Sequence, residues 1–273
     1  MKQVHAVFFS PTGTTRRVIS LSAQAAADTL ALPLTQTDFT LPSHRNEARS
    51  FSSDELVVIG LPVYAGRLPN VLLPFLKTIH GDGTPAVFMV VYGNRAYDEA
   101  LAELGLILQE NGFKLIAGAA FIGEHAFSQE LAKGRPDRRD RRKLERFGKE
   151  AAEQFLKEPE GKDLWQLLRE APRAIRPYYT PRDREGNPIN ILKVRSLVDP
   201  EKCIGCGRCA SLCPMGSIDP ADVSRYTGIC IKCGACIKGC PEGARYYTDP
   251  GFLTHKQILE EDYTHRQEPV WFL

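Results

Sequence analysis

The residues most able to do chemistry in this sequence are eight cysteines, all between positions 203 and 240. They form two copies of the pattern C-x-x-C-x-x-C-x-x-x-C-P, "CIGCGRCASLCP" and "CIKCGACIKGCP", and each cysteine of the first copy recurs 27 residues later in the second. Three thiolates spaced in this way on a glycine-bearing loop can bind three irons of a cubane, and the proline after the fourth cysteine turns the chain away. The spacing therefore predicts two 4Fe-4S clusters, which transfer electrons one at a time.

Structural zinc and disulfide bonds are the alternative uses of such cysteines. A zinc site usually takes two separated C-x-x-C pairs, which is a poor match to three cysteines and a downstream Cys-Pro in each copy. The first 202 residues contain no cysteine, whereas a disulfide framework would be spread along the chain that it stabilises. Iron-sulfur binding is therefore the favoured interpretation.

Residues 199–248 resemble, motif for motif, a bacterial-type two-cluster ferredoxin domain. In such domains the fourth cysteine of each motif ligates the cluster of the other motif. This resemblance assigns one cluster to Cys203, Cys206, Cys209 and Cys240. It assigns the other cluster to Cys230, Cys233, Cys236 and Cys213. The exchange of ligands joins the two halves into one small α+β domain.

A second chemical feature lies near the N-terminus, where the apolar run "VHAVFF" (4–9) continues into "SPTGTT" (10–15) and then into a helical pattern. A strand, a hydroxyl-rich loop and a helix N-terminus together form an anion site, because backbone N–H groups point outward and the helix dipole favours negative charge. Phosphate is the expected occupant. The loop has neither Gly-x-Gly-x-x-Gly nor Gly-Lys-Ser/Thr, so NAD(P) and ATP are not favoured. An ordinary N-capped helix is the alternative.

The elements that must position this loop alternate along the first 157 residues. The apolar run at 4–9 predicts a strand buried on both faces, and further strands are predicted at 33–37, 55–63, 85–92 and 114–123. Helices are predicted at 68–79, 97–111 and 138–157. This alternation predicts a doubly wound parallel sheet, which binds ligands beyond the carboxyl ends of its strands. The loops at those ends, 60–69 and 92–100, combine glycine, aromatic and polar residues.

The segments "SPTGTT", "GLPVYAGRLP" and "YGNRAYDEAL" resemble the phosphate loop and the two flavin-flanking loops of a flavodoxin, a family that binds FMN. With the cysteine motifs included, about 200 residues resemble the flavodoxin/ferredoxin fusion proteins. The resemblance implies a flavodoxin-like five-stranded sheet and an FMN phosphate held by Ser10, Thr12, Gly13, Thr14 and Thr15. It places the isoalloxazine between two sets of residues: Pro62, Val63, Tyr64, Ala65 and Gly66, and Tyr92, Gly93, Asn94, Arg95 and Tyr97.

Some of these residues have candidate roles. Three tyrosines are candidates either to pack on the flavin ring or to be ordinary sheet-edge residues: Tyr64, Tyr92 and Tyr97. The Asn94 side chain and the backbone amides near Gly66 and Gly93 are expected to hydrogen-bond the flavin edge and tune its redox state. His125, after the last predicted strand, is a candidate proton donor because histidine titrates near neutral pH. An uninvolved loop histidine is the alternative.

The division of the chain follows these motifs. We expect a flavodoxin-like domain at 1–157, a proline-rich linker at 158–198, a ferredoxin-like domain at 199–248 and a C-terminal tail at 249–273. The 273 residues carry a net charge of +2 and are 43% apolar, and neither a long apolar span nor a cleavable leader is visible. A cytoplasmic protein without a membrane or nucleic-acid partner is therefore expected.

Two functions stay open for such a chain. In one, it is an FMN-dependent oxidoreductase that reduces a small molecule at the flavin with electrons delivered through the clusters. In the other, it is a carrier that passes electrons between larger redox proteins. The basic run at 134–149, "GRPDRRDRRKLERFGK", is either a solvated helix face or a docking surface for an acidic redox partner. A vacant sheet domain, and association of the chain with itself, also stay open.

Overall fold

A computed structural model describes residues 1–169 and 174–273; the four remaining residues, all in the predicted linker, lie outside the described part of the chain. Its centre is a six-stranded sheet with the order β10-β7-β6-β4-β1-β2. Five of these strands are parallel: β1 (Gln3–Phe8), β2 (Leu34–Asp38), β4 (Glu55–Pro62), β6 (Thr84–Tyr92) and β7 (Phe113–Ile122). Their order along the sheet is the 2-1-3-4-5 arrangement of flavodoxin-like folds, which confirms the predicted fold class.

The central parallel strands β4, β6 and β7 form because their sequences are largely apolar without alternation. All nine residues of β6 are buried, and so are six of the eight residues of β4. Strands that are covered by helices on both faces show this pattern. The carboxyl ends of β1, β4, β6 and β7 consequently meet at one edge of the sheet, where the loops that follow them lie close together.

Helices cover both faces of the sheet. On one face lie α1 (Thr14–Leu30) and α4 (Arg138–Lys157), and on the other lie α2 (Leu73–Leu76), α3 (Ala100–Glu110) and α5 (Leu164–Leu167). The helix predicted at 68–79 is shorter than expected, since only a 3-10 turn (Asn70–Leu72) and α2 form there. Pro74 explains the difference, because proline provides no N–H group for a continuous helix.

The sixth strand corrects the expected five-stranded sheet. β10 (Val270–Phe272) comes from the tail and pairs antiparallel with β7. Trp271 stacks on Phe121 with ring centroids 6.2 Å apart and ring planes within 4°, and its indole N–H donates to Glu150 Oε2 at 2.9 Å. Three residues give no periodicity from which a strand could be predicted. β10 covers a strand edge that would otherwise present unpaired N–H and C=O groups.

The cysteine-rich residues fold as two copies of one loop-and-helix unit. Each copy contains a one-turn helix: α6 (Arg208–Ser211) and α7 (Ala235–Lys238). Each helix begins after a glycine with positive φ, Gly207 at 69° and Gly234 at 75°. Two short antiparallel strands, β8 (Leu197–Val198) and β9 (Arg245–Tyr246), close the unit. The repeat in the sequence is therefore also a repeat in the structure.

The remaining elements lie outside the central sheet. β3 (Arg49–Phe51) and β5 (Ile79–Gly81) form a small parallel pair. The tail forms α8 (Pro250–Asp262), which is capped by the Asp249 side chain, before it reaches β10. Within residues 1–169 and 174–273, no helix combines the length and apolarity needed to cross a membrane.

Replacing Trp271 with alanine should destabilise the sheet domain. The change removes a partly buried ring that contacts Phe121 and Phe147, and we expect a loss of about 2 kcal/mol in the free energy of unfolding. Chemical denaturation followed by far-UV circular dichroism measures this loss. Val270→Ala, at an exposed position of the same strand, is the matched control and should change stability little. Equal stability of both variants would show that the tail does not support the sheet.

Candidate functional site

The eight cysteines line two pockets of similar size. The outer pocket, with an empty volume of about 370 Å³, is lined by Cys203, Cys206, Cys209 and Cys240. The inner pocket, with about 330 Å³, is lined by Cys213, Cys230, Cys233 and Cys236. The fourth cysteine of each copy thus lies with the first three of the other, which is the grouping that the ferredoxin resemblance implies. Among the described residues, no three Cys, His, Asp or Glu side chains are placed to hold a single metal ion.

Hydrogen bonds to sulfur recur in both copies. Ser217 N–H donates to Cys213 Sγ at 3.3 Å, and 27 residues later Ala244 N–H donates to Cys240 Sγ at 3.3 Å. Such bonds hold thiolates in position and tune the potential of a cluster bound to them. Burial raises the pKa of the thiols at three positions of the inner pocket: Cys230, Cys233 and Cys236. Cluster binding there must therefore release protons.

The inner pocket is docked on the loop that follows β7. The Gly234 backbone approaches so closely that a Cβ at this position would lie 2.6 Å from the Ala126 carbonyl oxygen. Lys238, at the end of α7, forms an ion pair with Glu124 and donates to the His125 carbonyl at 2.8 Å. The second cysteine copy therefore lies against the carboxyl edge of the sheet.

The first cysteine copy touches the same edge through the loop after β2. Arg45 donates to the carbonyls of Phe39 at 2.9 Å and Pro214 at 2.5 Å, so one guanidinium joins this loop to the residue after Cys213. The loop also holds Thr40, whose Oγ1 accepts from Ser10 N–H at 2.7 Å. The wall of the inner pocket and the predicted phosphate loop thus share neighbours.

The predicted phosphate loop lies between β1 and α1. The Ser10 hydroxyl accepts from Arg16 N–H at 2.9 Å, and Gly13, the N-cap of α1, has a φ of 80°. In the described part of the chain, the N–H groups of Thr14 and Thr15 have no protein partner. An anion at this N-terminus would satisfy them and would be favoured by the helix dipole. These residues fit the phosphate of a flavin nucleotide.

The two predicted flavin-flanking loops touch each other at the carboxyl ends of β4 and β6. Tyr64 N–H donates to the Arg67 carbonyl at 2.8 Å across a two-residue turn, in which Ala65 and Gly66 have φ values of 49° and 78°. Two positive φ values are typical of a type I′ turn. The Asp98 side chain fills the space that a Cβ at Gly66 would need. The close contact of the loops therefore requires glycine there.

The three candidate tyrosines fall into two groups. Tyr92 and Tyr97 contact each other with ring centroids 5.6 Å apart, and burial raises the pKa of Tyr92 to about 12. Tyr64 lies beside the inner pocket instead. Enclosure by protein raises the pKa of its hydroxyl far above the usual range, with further contributions from Cys233 and Tyr247. The Tyr64 hydroxyl is thus near enough to the cysteines of the inner pocket for their charge to affect its pKa.

The Asn94 side chain binds the tail, and its expected role at the flavin edge stays a prediction. Its side chain is buried and donates to the carbonyls of Tyr263 at 2.6 Å and His265 at 2.9 Å. Its Oδ1 accepts from Gln267 N–H at 3.2 Å and from Arg135 at 3.4 Å. A side-chain amide with these four bonds fixes the tail on the loop after β6. The Gly93 backbone amide stays a candidate.

His125 lies over the same loop, where a side chain at Gly93 would overlap its ring. Desolvation, with the positive charge of Lys238 second, lowers the pKa of His125 to about 3. Its Nδ1 accepts from Phe127 N–H at 3.1 Å. This lowered pKa differs from the near-neutral titration expected of His125, and the role of His125 as a proton donor stays a prediction.

Two residues of the basic run 134–149 have a structural role that the sequence analysis does not predict. Arg135 and Asp140 are both buried and form a paired contact, with Arg135 Nε 2.9 Å from Asp140 Oδ2. Arg266 of the tail also donates to Asp140 Oδ1, at 3.0 Å. The capping pattern of Asp137 and Asp140 at the start of α4 is the signal that could have shown this. Only part of the basic run is therefore a solvated face.

The linker also fixes the flanking loops. Arg67 forms a double contact with Glu103 at 2.5 and 2.8 Å and donates to the Arg176 carbonyl at 2.8 Å. Tyr179 N–H donates to the Ala65 carbonyl at 2.8 Å. The linker residues 176–179 therefore hold the turn at 64–67 in one position.

Comparison with known proteins agrees with the two parts of the structure. Two segments match family models described as 4Fe-4S binding domain, at residues 197–219 and 227–245. Among curated proteins, none matches the chain. The chain thus joins a sheet with the strand order of flavodoxin-like folds to two segments that match 4Fe-4S binding domain models, which is the combination that the sequence predicts.

Solved structures with a similar fold include three flavodoxins. One, from the domain Archaea, is 15% identical and covers 56% of this chain and 97% of its own, with a TM-score of 0.39. The Streptococcus pneumonia TIGR4 flavodoxin is 19% identical over 55% and 98%, with a TM-score of 0.38. A short-chain flavodoxin associated with a non-canonical PDU bacterial microcompartment is 17% identical over 57% and 98%, with a TM-score of 0.39. These values are too low to carry an argument, so the fold assignment rests on the strand order.

Pairs of cysteine substitutions test the grouping by counting iron. Cys213→Ala with Cys233→Ala removes two ligands of the inner pocket, so about four of about eight irons should stay bound. The iron content of this double variant should be no lower than that of Cys213→Ala alone. Cys213→Ala with Cys209→Ala removes one ligand from each pocket, and both clusters should be lost. Iron and sulfide analysis of anaerobically reconstituted protein measures this. Retention of one cluster in the second pair would assign both cysteines to one site.

The pH dependence of stability tests the state of His125. Because folding lowers its pKa from 6.5 to about 3, its contribution is fully present above pH 6.5 and is lost as the pH falls toward 3. We expect the unfolding free energy to fall by about 2 kcal/mol more between pH 7.5 and pH 5 in the natural protein than in His125→Gln. Denaturation at both pH values measures the difference. His44→Gln, at an exposed position, should keep the natural slope, and the same slope in His125→Gln would contradict the assignment.

Proposed function

We propose that this protein is an electron-transfer iron-sulfur flavoprotein in which two 4Fe-4S clusters exchange single electrons with FMN. The observation that carries the proposal is the docking of the inner pocket on the carboxyl edge of the sheet, through Gly234 and Ala126 and through Lys238 and Glu124. Doubly wound sheets bind their ligands at this edge. Electron exchange between a cluster and a flavin needs such proximity.

FMN is proposed because the residues at this edge suit each part of it. The unpartnered N–H groups of Thr14 and Thr15 suit the phosphate. The turn at 64–67 and the loop after β6 are held side by side by Asp98 and by the linker, as two walls for a flat ring require. When bound, FMN would accept electrons singly and release them as a pair.

The two pockets support an order for the electrons. The inner pocket is docked on the loop after β7, at the carboxyl edge of the sheet. The outer pocket is nearer to the surface, because its Cys206 is exposed, whereas Cys233 and Cys236 of the inner pocket are buried. We propose that a partner protein exchanges electrons at the outer cluster, and that the inner cluster is the one next to the flavin.

Reduction of a small molecule at the flavin is the finer part of the proposal, and electron carriage between larger proteins is its alternative. The neutral state of His125 bears on the choice. If the flavin reduces a substrate that takes up protons, these must come from solvent or from another residue.

Flavin reduction through the clusters tests the proposed function. The anaerobic protein with clusters and FMN is mixed with a reduced, low-potential, one-electron protein donor, and the flavin absorbance is followed by stopped flow. Cys213→Ala with Cys233→Ala removes the inner cluster, and flavin reduction should fall to the background rate. Unchanged flavin reduction in this variant would exclude the route through the inner cluster.

A charge at the phosphate loop separates the loss of flavin from the loss of clusters. Thr12→Asp adds a negative charge beside the phosphate and should weaken FMN binding about tenfold or more, with unchanged iron content. Gln36→Glu adds the same charge at an exposed position of β2 and is the control. Normal FMN binding by Thr12→Asp would contradict the position of the phosphate.

A further inference from the structure

The two cysteine pockets differ in charge at one pair of repeat-related positions. Arg245, which follows the second copy, is 27 residues after Ile218, which follows the first. Ile218 lines the inner pocket and Arg245 lines the outer pocket. Both side chains are almost fully buried, at 3% exposure each. The inner pocket therefore has an apolar side chain where the outer pocket has a guanidinium.

The Arg245 guanidinium contacts a cysteine of the outer pocket directly. Its Nη2 donates to Cys209 Sγ at 3.4 Å and to the Val223 carbonyl, and its Nη1 donates to Ser196 Oγ at 3.2 Å. The Tyr226 ring lies 5.8 Å from the guanidinium carbon. These contacts fix the cation against the wall of the outer pocket.

The charge of Arg245 has no carboxylate partner among the described residues, and its Nε–H has no hydrogen-bond partner there. A buried and unpaired cation is strongly unfavourable, so such groups are found with a compensating anion. The thiolates and sulfides of a cluster in the outer pocket are anionic and accept hydrogen bonds. Arg245 therefore fits a cluster in this pocket and adds an interaction that Ile218 cannot provide.

A polar path connects this cation to the other pocket, but more weakly. Ser196 Oγ is 3.3 Å from Cys236 Sγ and 2.7 Å from the Tyr226 hydroxyl. The guanidinium thus touches Cys209 directly and reaches Cys236 only through Ser196. Its field is stronger at the outer pocket because electrostatic energy falls with distance.

We propose that Arg245 raises the reduction potential of the outer cluster, so that this cluster takes an electron from a one-electron donor more easily than it would with an apolar residue at position 245. A nearby positive charge and a hydrogen bond to a ligand sulfur stabilise the reduced cluster, which carries one more negative charge. One electron is gained and no covalent bond is made or broken. This inference rests on the proposed function, since it concerns the potential of a cluster that acts in electron transfer.

A redox titration of the full-length protein tests the role of Arg245. In the background Cys213→Ala with Cys233→Ala, the outer cluster is the one expected to stay, and its midpoint is followed by EPR. Arg245→Ile introduces the residue that stands at the equivalent position of the first repeat, and it should lower this midpoint. At a fixed potential, the ratio of reduced to oxidised cluster should fall about tenfold or more, and for one electron a tenfold change corresponds to about 59 mV. Arg245→Lys keeps the charge and should restore most of the natural midpoint.

Several results would overturn the proposal. An unchanged midpoint in Arg245→Ile, or an equal shift in Arg245→Lys, would show that the charge does not set the potential. If Arg245→Ile does not retain iron, the comparison of Arg245→Lys with Arg245→Gln decides, and equal midpoints in these two variants contradict the proposal. The titration needs no flavin. A negative result for Arg245 is therefore distinguishable from a failure of electron transfer to FMN, which the stopped-flow experiment measures.

Discussion

The structure depends on the contact between the second cysteine copy and the loop after β7. Gly234 allows the backbones to approach, and the ion pair of Lys238 with Glu124 fixes their relative position. This contact converts a separate cysteine unit into a wall at the carboxyl edge of the sheet. Because of this contact, the carboxyl edge of the sheet, the linker and Tyr64 lie on the same side of the molecule as the inner pocket.

Linker and tail make this edge rigid from two sides. The linker residues 176–179 hold the turn at 64–67, and the tail residues 263–267 hold Asn94 and Arg135. The linker and the tail use backbone N–H and C=O groups for these contacts, and the side chains of Tyr178 and Arg266 add further hydrogen bonds. A flavin site held in this way is preformed, which lowers the reorganisation that binding and electron exchange require.

Much of this arrangement could be predicted from the sequence, and the reasons differ by feature. The clusters could be predicted because the binding of a cluster requires this cysteine spacing. The doubly wound sheet could be predicted because apolar strands alternate with helices along the sequence. The role of Asn94 could not be predicted, because its partner Tyr263 is 169 residues away. Arg135 and Asp140 were hidden in a run of charges whose local pattern is that of a solvated helix. The sequence indicates an ordinary pKa for His125, because the residues beside it in the sequence do not show that its ring is buried.

The pairing of β10 with β7 changes the description of the molecule's architecture. The chain leaves the sheet domain after α5, forms the cysteine unit and then returns to add β10 to the same sheet. The cysteine unit is therefore an insertion within a discontinuous domain rather than an appendage at its end. Because it is tethered on both sides, a single break in the linker would leave the cysteine unit covalently attached to the sheet through α8 and β10.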